Sequence, residues 1–366
     1  MASTGNPLTA DSLIGEWLNH PVGGVLIREL LAHGGMNEDV MRPLHMVPLQ
    51  RLVTLSGGQM SQDIVDDLVA RANDAITQPT VDEDPAEDPA EVAVATRDWA
   101  RDVVVVVGVG AMGEMIARRQ GSGRRLLLAD VNREALERAS SALRGDGFDV
   151  TSQLVDVSSH ESVAQLAKAA QALGPVAQVA HTAGLSPAQA STQTIIAVNL
   201  IGVALVLDAF AEVIAVGGAG IVVSSMAGYG VDVPADVAHR LATGSVEELA
   251  NLPEAKDLQD AGSAYRLTKR ANQLRVQAAS VSWGARGARI NSISPGVIAT
   301  PMTEQELAGA NGDIVRAMVA SSGAGRLGTP SDIADAAAFL LGPTAGFITG
   351  IDLLVDGGVV AAQRVS

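Results

Sequence analysis

From residue 103 onward, apolar residues follow two alternating spacings. Short continuous runs at 103–107, 126–128, 150–155, 176–180, 221–224, 289–293 and 351–355 read as strands. The first is five consecutive valines, which predicts a strand buried on both faces. Between these runs the spacing becomes helical: 114–119 follows the first strand, 133–143 the second, and amphipathic stretches fill the other gaps. Strands and helices in strict alternation specify an α/β fold, a doubly wound parallel sheet covered on both faces. The chain before residue 78 is different. Three periodic segments at 13–18, 25–31 and 64–75, bounded by Gly, Pro, Asn and Ser, predict a small all-α module over 1–77.

Charge supports that division. Residues 1–98 hold sixteen acidic residues against five arginines and no lysine, a net −11 of the chain's −16. The run 78–91, QPTVDEDPAEDPAE, repels itself, and Pro79, Pro85 and Pro89 bar a continuous helix. An acidic linker is therefore expected over 78–98, with a catalytic domain over 99–366. The acidic balance argues against nucleic acid and anionic membrane as partners. Cysteine is absent and the six histidines show no metal-ligand spacing, so no metal site is expected. The first residues lack a basic, apolar leader, and no stretch of about 18 apolar residues stands out. A soluble cytoplasmic protein is the expectation.

The first strand is followed by Gly108-Val109-Gly110-Ala111-Met112-Gly113, a GxGxxG opening a helix. In that context the glycines permit a tight turn, close approach of a pyrophosphate and contact of helix with strand, so a Rossmann-type dinucleotide site is predicted. Asp130 ends the second strand, 22 residues after Gly108. A carboxylate there accepts hydrogen bonds from the adenosine ribose and repels a 2′-phosphate, which favours NAD over NADP. Arg133 lies close enough to soften that preference. Asp156, after the third strand, has two readings: a contact to adenine or a helix N-cap.

Tyr265 and Lys269 carry the strongest chemical signal, because the chain uses only two tyrosines and three lysines. On a helix over 263–283, a spacing of four puts phenol and ammonium on one face. The cation is expected to favour phenolate and lower the phenol's pKa, an acid/base device. An incidental pair on a surface helix is the alternative.

Taken in order, these motifs resemble the short-chain dehydrogenase/reductase family over about residues 100–360. They are the glycine turn, Asp130, Asp156-Val157, Ala183-Gly184, Asn199, Ser224-Ser225, Tyr265-x-x-x-Lys269, Pro295-Gly296-x-Ile298-x-Thr300 and Asp356-Gly357-Gly358. The resemblance implies catalysis by Ser225, Tyr265 and Lys269. Tyr265 would move the proton, Ser225 would donate to the substrate oxygen, and Lys269 would hold the nicotinamide ribose. Asn199 would anchor a proton-relay water. The dinucleotide would be held by Gly108, Gly110, Met112, Gly113, Asp130, Asp156, Val157, Ala183, Gly184, Pro295, Gly296, Ile298 and Thr300, together with Tyr265 and Lys269. Ser224 competes with Ser225, and the alignment of Ser-Met-Ala-Gly favours the latter.

Four departures from the family pattern stand out. The glycine turn is one residue shorter and lacks the family's Thr. His181-Thr182-Ala183-Gly184 replaces Asn-Asn-Ala-Gly, with His181 either touching cofactor or satisfying backbone at the strand end; the latter is favoured. The connection from Gly184 to Asn199 is short. Residues 229–262 separate Ser225 from Tyr265, where the family has only a brief loop. A lid or substrate-pocket wall is expected there, with a subunit contact as the alternative.

The resemblance implies an NAD-dependent oxidoreductase acting on a secondary alcohol or ketone. Apolar residues in 303–326 suggest a hydrophobic, alicyclic or steroid-like substrate. Nucleotide-sugar epimerases carry a longer C-terminal region, and related enoyl reductases space Tyr and Lys by seven. An NAD(H)-binding sensor or scaffold, with the N-terminal module recruiting a partner, is the alternative from another class. Apolar outer faces at 201–207 and 271–281 suggest a homo-dimer or homo-tetramer.

Overall fold

The computed structural model describes residues 8–33, 44–55, 60–77, 102–309 and 312–365. The chain divides into two compact units, Met1–Val92 and Ala93–Ser366. The expected linker at 78–98 lies outside the described residues.

The first unit is helical. Ile14–Asn19, Gly23–His33, Leu52–Leu55 and Gln62–Thr77 enclose Ile14, Trp17, Ile27, Leu49 and Val65, all fully buried. The Trp17 indole donates to the Thr9 carbonyl at 3.1 Å, so the large ring is buried without stranding its N–H.

The second unit is a seven-stranded sheet, entirely parallel, in the order β3-β2-β1-β4-β5-β6-β7. The strands are β1 (Val103–Val107), β2 (Arg125–Asp130), β3 (Asp149–Leu154), β4 (Val176–His181), β5 (Ile214–Val223), β6 (Arg289–Pro295) and β7 (Asp352–Val355). All seven runs identified from hydrophobicity are strands. β1 is inaccessible along its whole length, because neighbours flank it and both faces are covered. Its odd valines join a core with the helices Thr192–Ile195, Gly202–Val213 and Ala261–Ala285; its even valines join a core with Ala111–Gln120 and Pro330–Leu341. Strand order reverses between β1 and β4, which opens a crevice at their C-terminal ends.

Local sequence sets the helix starts. Asn132 accepts from Ala135 N at 3.0 Å, Ser159 from Ser162 N at 3.3 Å, and Asp260 from Ser263 N at 2.7 Å. The helical stretch Thr192–Val213 has a mean hydropathy of 2.2, enough by length and composition to cross a membrane. This corrects the sequence reading. Burial of 72% of its most apolar window explains that composition as core packing.

The insertion at 229–262 forms three helices, Ala235–Thr243, Val246–Ala250 and Pro253–Lys256. Val237, Leu241, Leu249, Leu252 and Ala255 are buried in the same core as the Asn199 and Tyr265 helices. Arg275, itself buried, donates to the carbonyls of Leu241 and Gly244 at 3.3 and 2.9 Å. The segment is thus packed into the core of this unit. Residues 201–207 are all buried within this single chain, as are Ala271 and Val276. The first of the faces expected to join subunits is therefore covered, whereas the second is open towards its C-terminal end, where Val281 is 77% exposed.

Candidate active site

The crevice begins at the glycine turn. Gly108 has φ +96°, and a Cβ there would lie 2.5 Å from the Ala183 nitrogen. A Cβ on Gly113 would strike the Gly108 carbonyl oxygen, while one on Gly110 would meet only open space. The three glycines thus serve turn, approach and helix contact separately. Gly110 is the N-cap of Ala111–Gln120 and supplies no side-chain acceptor, so the first-turn N–H groups face the crevice. This cradle fits a pyrophosphate.

The crevice has a volume of about 790 Å³. Its lining includes the expected Gly108, Gly110, Met112, Gly113, Asp130, Asp156, Val157, Ala183, Gly184 and Thr300. Asp130 accepts from Val109 N and Asn132 N, each at 2.8 Å, which fixes the carboxylate beside the turn. Two hydrogen bonds leave acceptor capacity for a ribose. The Asp156 carboxylate turns onto Ser158 N and Oγ at 2.9 and 2.6 Å, and the following helix is capped by Ser159, so the cap reading of Asp156 is corrected. Pro295, Gly296 and Ile298 stand behind the lining. A Cβ on Gly296 would lie 2.6 Å from Asp356 Cα, and Ile298 bridges to Gly328. Together they deliver Thr300, which caps the next helix through Thr303 N.

A second cluster meets the crevice at Gly184. A Cβ built there would sit 3.4 Å from both Asn199 Oδ1 and Lys269 Nζ. Asn199 spends both amide atoms on the Leu185 backbone, at 2.9 Å each, and lies in a π-helical turn, Ile196–Ile201. Such wide turns recur at functional sites because they disturb the backbone ladder. Lys269 Nζ donates to the Val223 carbonyl at 3.0 Å and lies 5.6 Å from the centre of the Tyr265 ring.

Ser225 hydrogen-bonds the Tyr265 phenol. Ser224 donates instead to the Lys269 carbonyl at 2.7 Å, tying strand to helix, so geometry separates the two serines. Burial pushes the Tyr265 pKa up; the Ser225 hydrogen bond lowers it and the Glu306 charge raises it further. The lowering by Lys269 expected from spacing is not found. The ammonium is itself fully buried, which lowers its pKa to about 8.

His181 corrects another expectation. It is buried between β1 and β5, yet neither ring nitrogen has a hydrogen-bond partner among the described residues. Strand pairing on both sides consumes the backbone groups it was expected to satisfy. Burial, with a smaller contribution from Lys269, pushes its pKa down to about 3.

Several residues at the site escaped sequence reasoning. Thr182 Oγ1 donates to the Gly108 carbonyl at 2.7 Å and holds the turn in place. Gln193 and Thr194 line the crevice from the start of the Asn199 helix, and Pro301 and Met302 from beyond Thr300. Glu306 acts electrostatically on Tyr265. Position next to motif residues marks Thr182 and Met302, whereas nothing in the sequence marks Glu306.

The family model described as "short chain dehydrogenase" matches residues 102–238, and one described as "Enoyl-(Acyl carrier protein) reductase" matches 242–360. A short-chain dehydrogenase/reductase of Alternaria brassicicola, bsc3, is 44% identical over 72% of this chain and 97% of its own. Galactitol 2-dehydrogenase (L-tagatose-forming) of Cereibacter sphaeroides is 30% identical over 71% of this chain and 95% of its own. Among solved structures, an actinorhodin polyketide ketoreductase variant with NADPH superposes with a TM-score of 0.57 at 22% identity, over 70% of this chain and 97% of that one. That likeness bears on the fold. With the glycine cradle, the parallel sheet and the Ser225–Tyr265–Lys269 cluster, these matches make the chain a member of the short-chain dehydrogenase/reductase family, an oxidoreductase family that works with a nicotinamide dinucleotide.

Proposed function

We propose that this protein is an NAD-dependent oxidoreductase that interconverts a secondary alcohol and a ketone, with a hydrophobic, alicyclic substrate. The observation that carries the reading is the cluster at Gly184, where Tyr265, hydrogen-bonded by Ser225, stands with Lys269 at the mouth of a dinucleotide cradle. The bound nicotinamide supplies the hydride acceptor or donor. In the oxidative direction Tyr265 removes the hydroxyl proton as the hydride leaves the same carbon, giving ketone, reduced cofactor and one proton. Ser225 donates to the substrate oxygen, whose negative charge grows in the transition state. Lys269, buried beside both, holds the ribose and offers the proton a route onward. Asn199 keeps the Leu185 loop closed against this cluster, and Thr300 and Ile298 position the carboxamide.

Asp130 supports NAD over NADP, since a 2′-phosphate would meet a fixed carboxylate. Galactitol 2-dehydrogenase, by its name, makes a ketose from a polyol, which is the same bond change. The direct test is titration with NADH and NADPH by nicotinamide fluorescence, then a panel of alcohols and ketones beside a Tyr265→Phe control. Tight NADH binding and turnover lost in the variant are expected. NADH binding without turnover on any alcohol or ketone would overturn the enzymatic reading in favour of a dinucleotide sensor.

A further inference from the structure

We infer that His181 and Asn272 hold one internal water molecule against the Lys269 ammonium, which makes both of them positioning residues for that cation. His181 closes β4, where it pairs with Val107 on β1 and Val222 on β5. Those two valines belong to the core under the Asn199 and Tyr265 helices, whereas Val106, Ala180 and Ile221, one residue earlier, belong to the opposite core. Strand alternation therefore aims the imidazole at the side covered by the helix Ala261–Ala285. That helix runs back along β5: Lys269 Nζ donates to the Val223 carbonyl, and Trp283 lies against Gly220. On one flank of Lys269, Gln273 donates to Ser294 Oγ on β6 at 3.0 Å. Asn272 is turned about 60° to the other flank, at about 100° per residue. Because β5 lies between β4 and β6, that flank faces β4. Three residues past Lys269 is about 4.5 Å along the helix, which brings Asn272 to the level of Val222 and so of His181.

Both side chains are buried, His181 to 1% exposure and Asn272 completely. Among the described residues neither ring nitrogen of His181 and neither amide atom of Asn272 has a hydrogen-bond partner. The two do not bond each other, and leaving such groups unmet is costly, so a small molecule that both donates and accepts must bridge them. Water has that chemistry. It accepts from the Lys269 ammonium and donates to the unprotonated ring nitrogen and to Asn272 Oδ1, about the usual number of bonds for an internal water. Burial keeps the imidazole neutral, so one nitrogen remains an acceptor, and Lys269 influences it electrostatically. Lys269 Nζ carries three hydrogens and gives one to Val223, which leaves donors for a water and a ribose. The Asn199 amide is engaged on both sides by Leu185. Other titratable groups on the surrounding elements are turned elsewhere: Tyr265 to Ser225, Tyr229 to Asp352, and Asp208 to Arg275. The consequence for turnover rests on the role proposed for Lys269 above; the water site itself does not.

A high-resolution crystal structure of the unaltered protein should show one water within hydrogen-bond distance of His181, Asn272 and Lys269. Direct contact between the two side chains, or a dry gap, would overturn the inference. The effect on the cation is read by NMR of protein labelled with nitrogen-15 at lysine, because the chain has only Lys168, Lys256 and Lys269 and the buried one titrates near 8. In His181→Leu and Asn272→Leu the ammonium loses an acceptor. Its titration should move down by about one pH unit, a tenfold change in ionisation constant, as expected for one hydrogen bond to a charged group. His181→Asn, which keeps an acceptor oxygen, should recover part of that change, and NADH binding verifies that each variant is folded. An unchanged Lys269 titration in both leucine variants would reduce the pair to core filling and overturn the inference, with the dehydrogenase reading intact. No turnover of any alcohol or ketone, with the water and the titration as expected, would overturn that reading and uphold the water site.

Discussion

Arg275 donates a hydrogen bond of 2.9 Å to the carbonyl oxygen of Gly244, so the helix that carries Tyr265 also fastens the C-terminal end of the first inserted helix. The guanidinium is buried, which lowers its pKa, and the Asp208 charge offsets part of that effect. Replacing Arg275 by Met strands two buried carbonyls. A loss of about 2–4 kcal/mol in urea unfolding is expected. Deleting 232–260 should go further, because it uncovers the apolar faces of two helices, and the product should self-associate in light scattering. A monodisperse, equally stable deletion would show that the segment is an ornament.

Tyr265 offers the sharpest catalytic test. Its hydroxyl touches Ser225 and its ring flanks Lys269, while the crevice lining is built by other residues. Tyr265→Phe should lower kcat by about a hundredfold to ten-thousandfold with NADH affinity unchanged. Because burial and Glu306 both raise the phenol's pKa, alcohol oxidation in the wild type should accelerate with rising pH. Removing the Glu306 charge with Gln favours phenolate, so that rising limb should move to lower pH. A limb that stays in place would mean Tyr265 is not the titrating base.

The proposed preference for NAD rests on Asp130. Its carboxylate is held by Val109 N and Asn132 N, so it cannot swing away from a 2′-phosphate. Asp130→Asn keeps an acceptor oxygen for one of those two amides, sets an NH2 group against the other, and removes the charge. The ratio of NADPH to NADH affinity should rise at least about tenfold, as expected for relief of a close like-charge contact. Equal ratios in the two proteins, read by fluorescence titration, would remove Asp130 as the selector.

The sheet was legible because its signals are local. Five valines followed by GxGxxG state strand, turn and helix in eleven residues, and the Tyr265–Lys269 spacing places two side chains without any tertiary information. The electrostatics were not legible in the same way. Spacing correctly put Lys269 beside Tyr265, but the ammonium faces the ring and the Val223 carbonyl, and desolvation decides both pKa directions. Desolvation depends on everything packed around a group, which no local pattern encodes. The packing of the insertion was hidden for a related reason: Val237, Leu241, Leu249 and Leu252 bury themselves against helices far along the chain. Glu306 has no motif at all; its effect on the Tyr265 phenol comes from tertiary packing.

His181 links the site to acid stability. Its pKa in the folded protein lies near 3, against 6.5 for a free imidazole, because burial disfavours the charged form. Between those values the unfolded chain binds a proton that the folded chain does not, so stability must rise with pH across this window and fall as acid is added. One such group contributes a slope of about 1.4 kcal/mol per pH unit, on the order of 5 kcal/mol over the whole interval. Lys269 acts in the same direction at higher pH: with a folded value of about 8, it makes stability rise again as pH climbs from 8 towards 10.5. Replacing His181 by Asn removes the lower window alone. Urea unfolding at pH 4.5, 5.5 and 6.5 should therefore give a variant whose stability depends less steeply on pH, by up to one proton, whatever its stability at neutral pH. Identical slopes in the two proteins would mean that the imidazole is protonated in the folded state and that its two nitrogens have found partners.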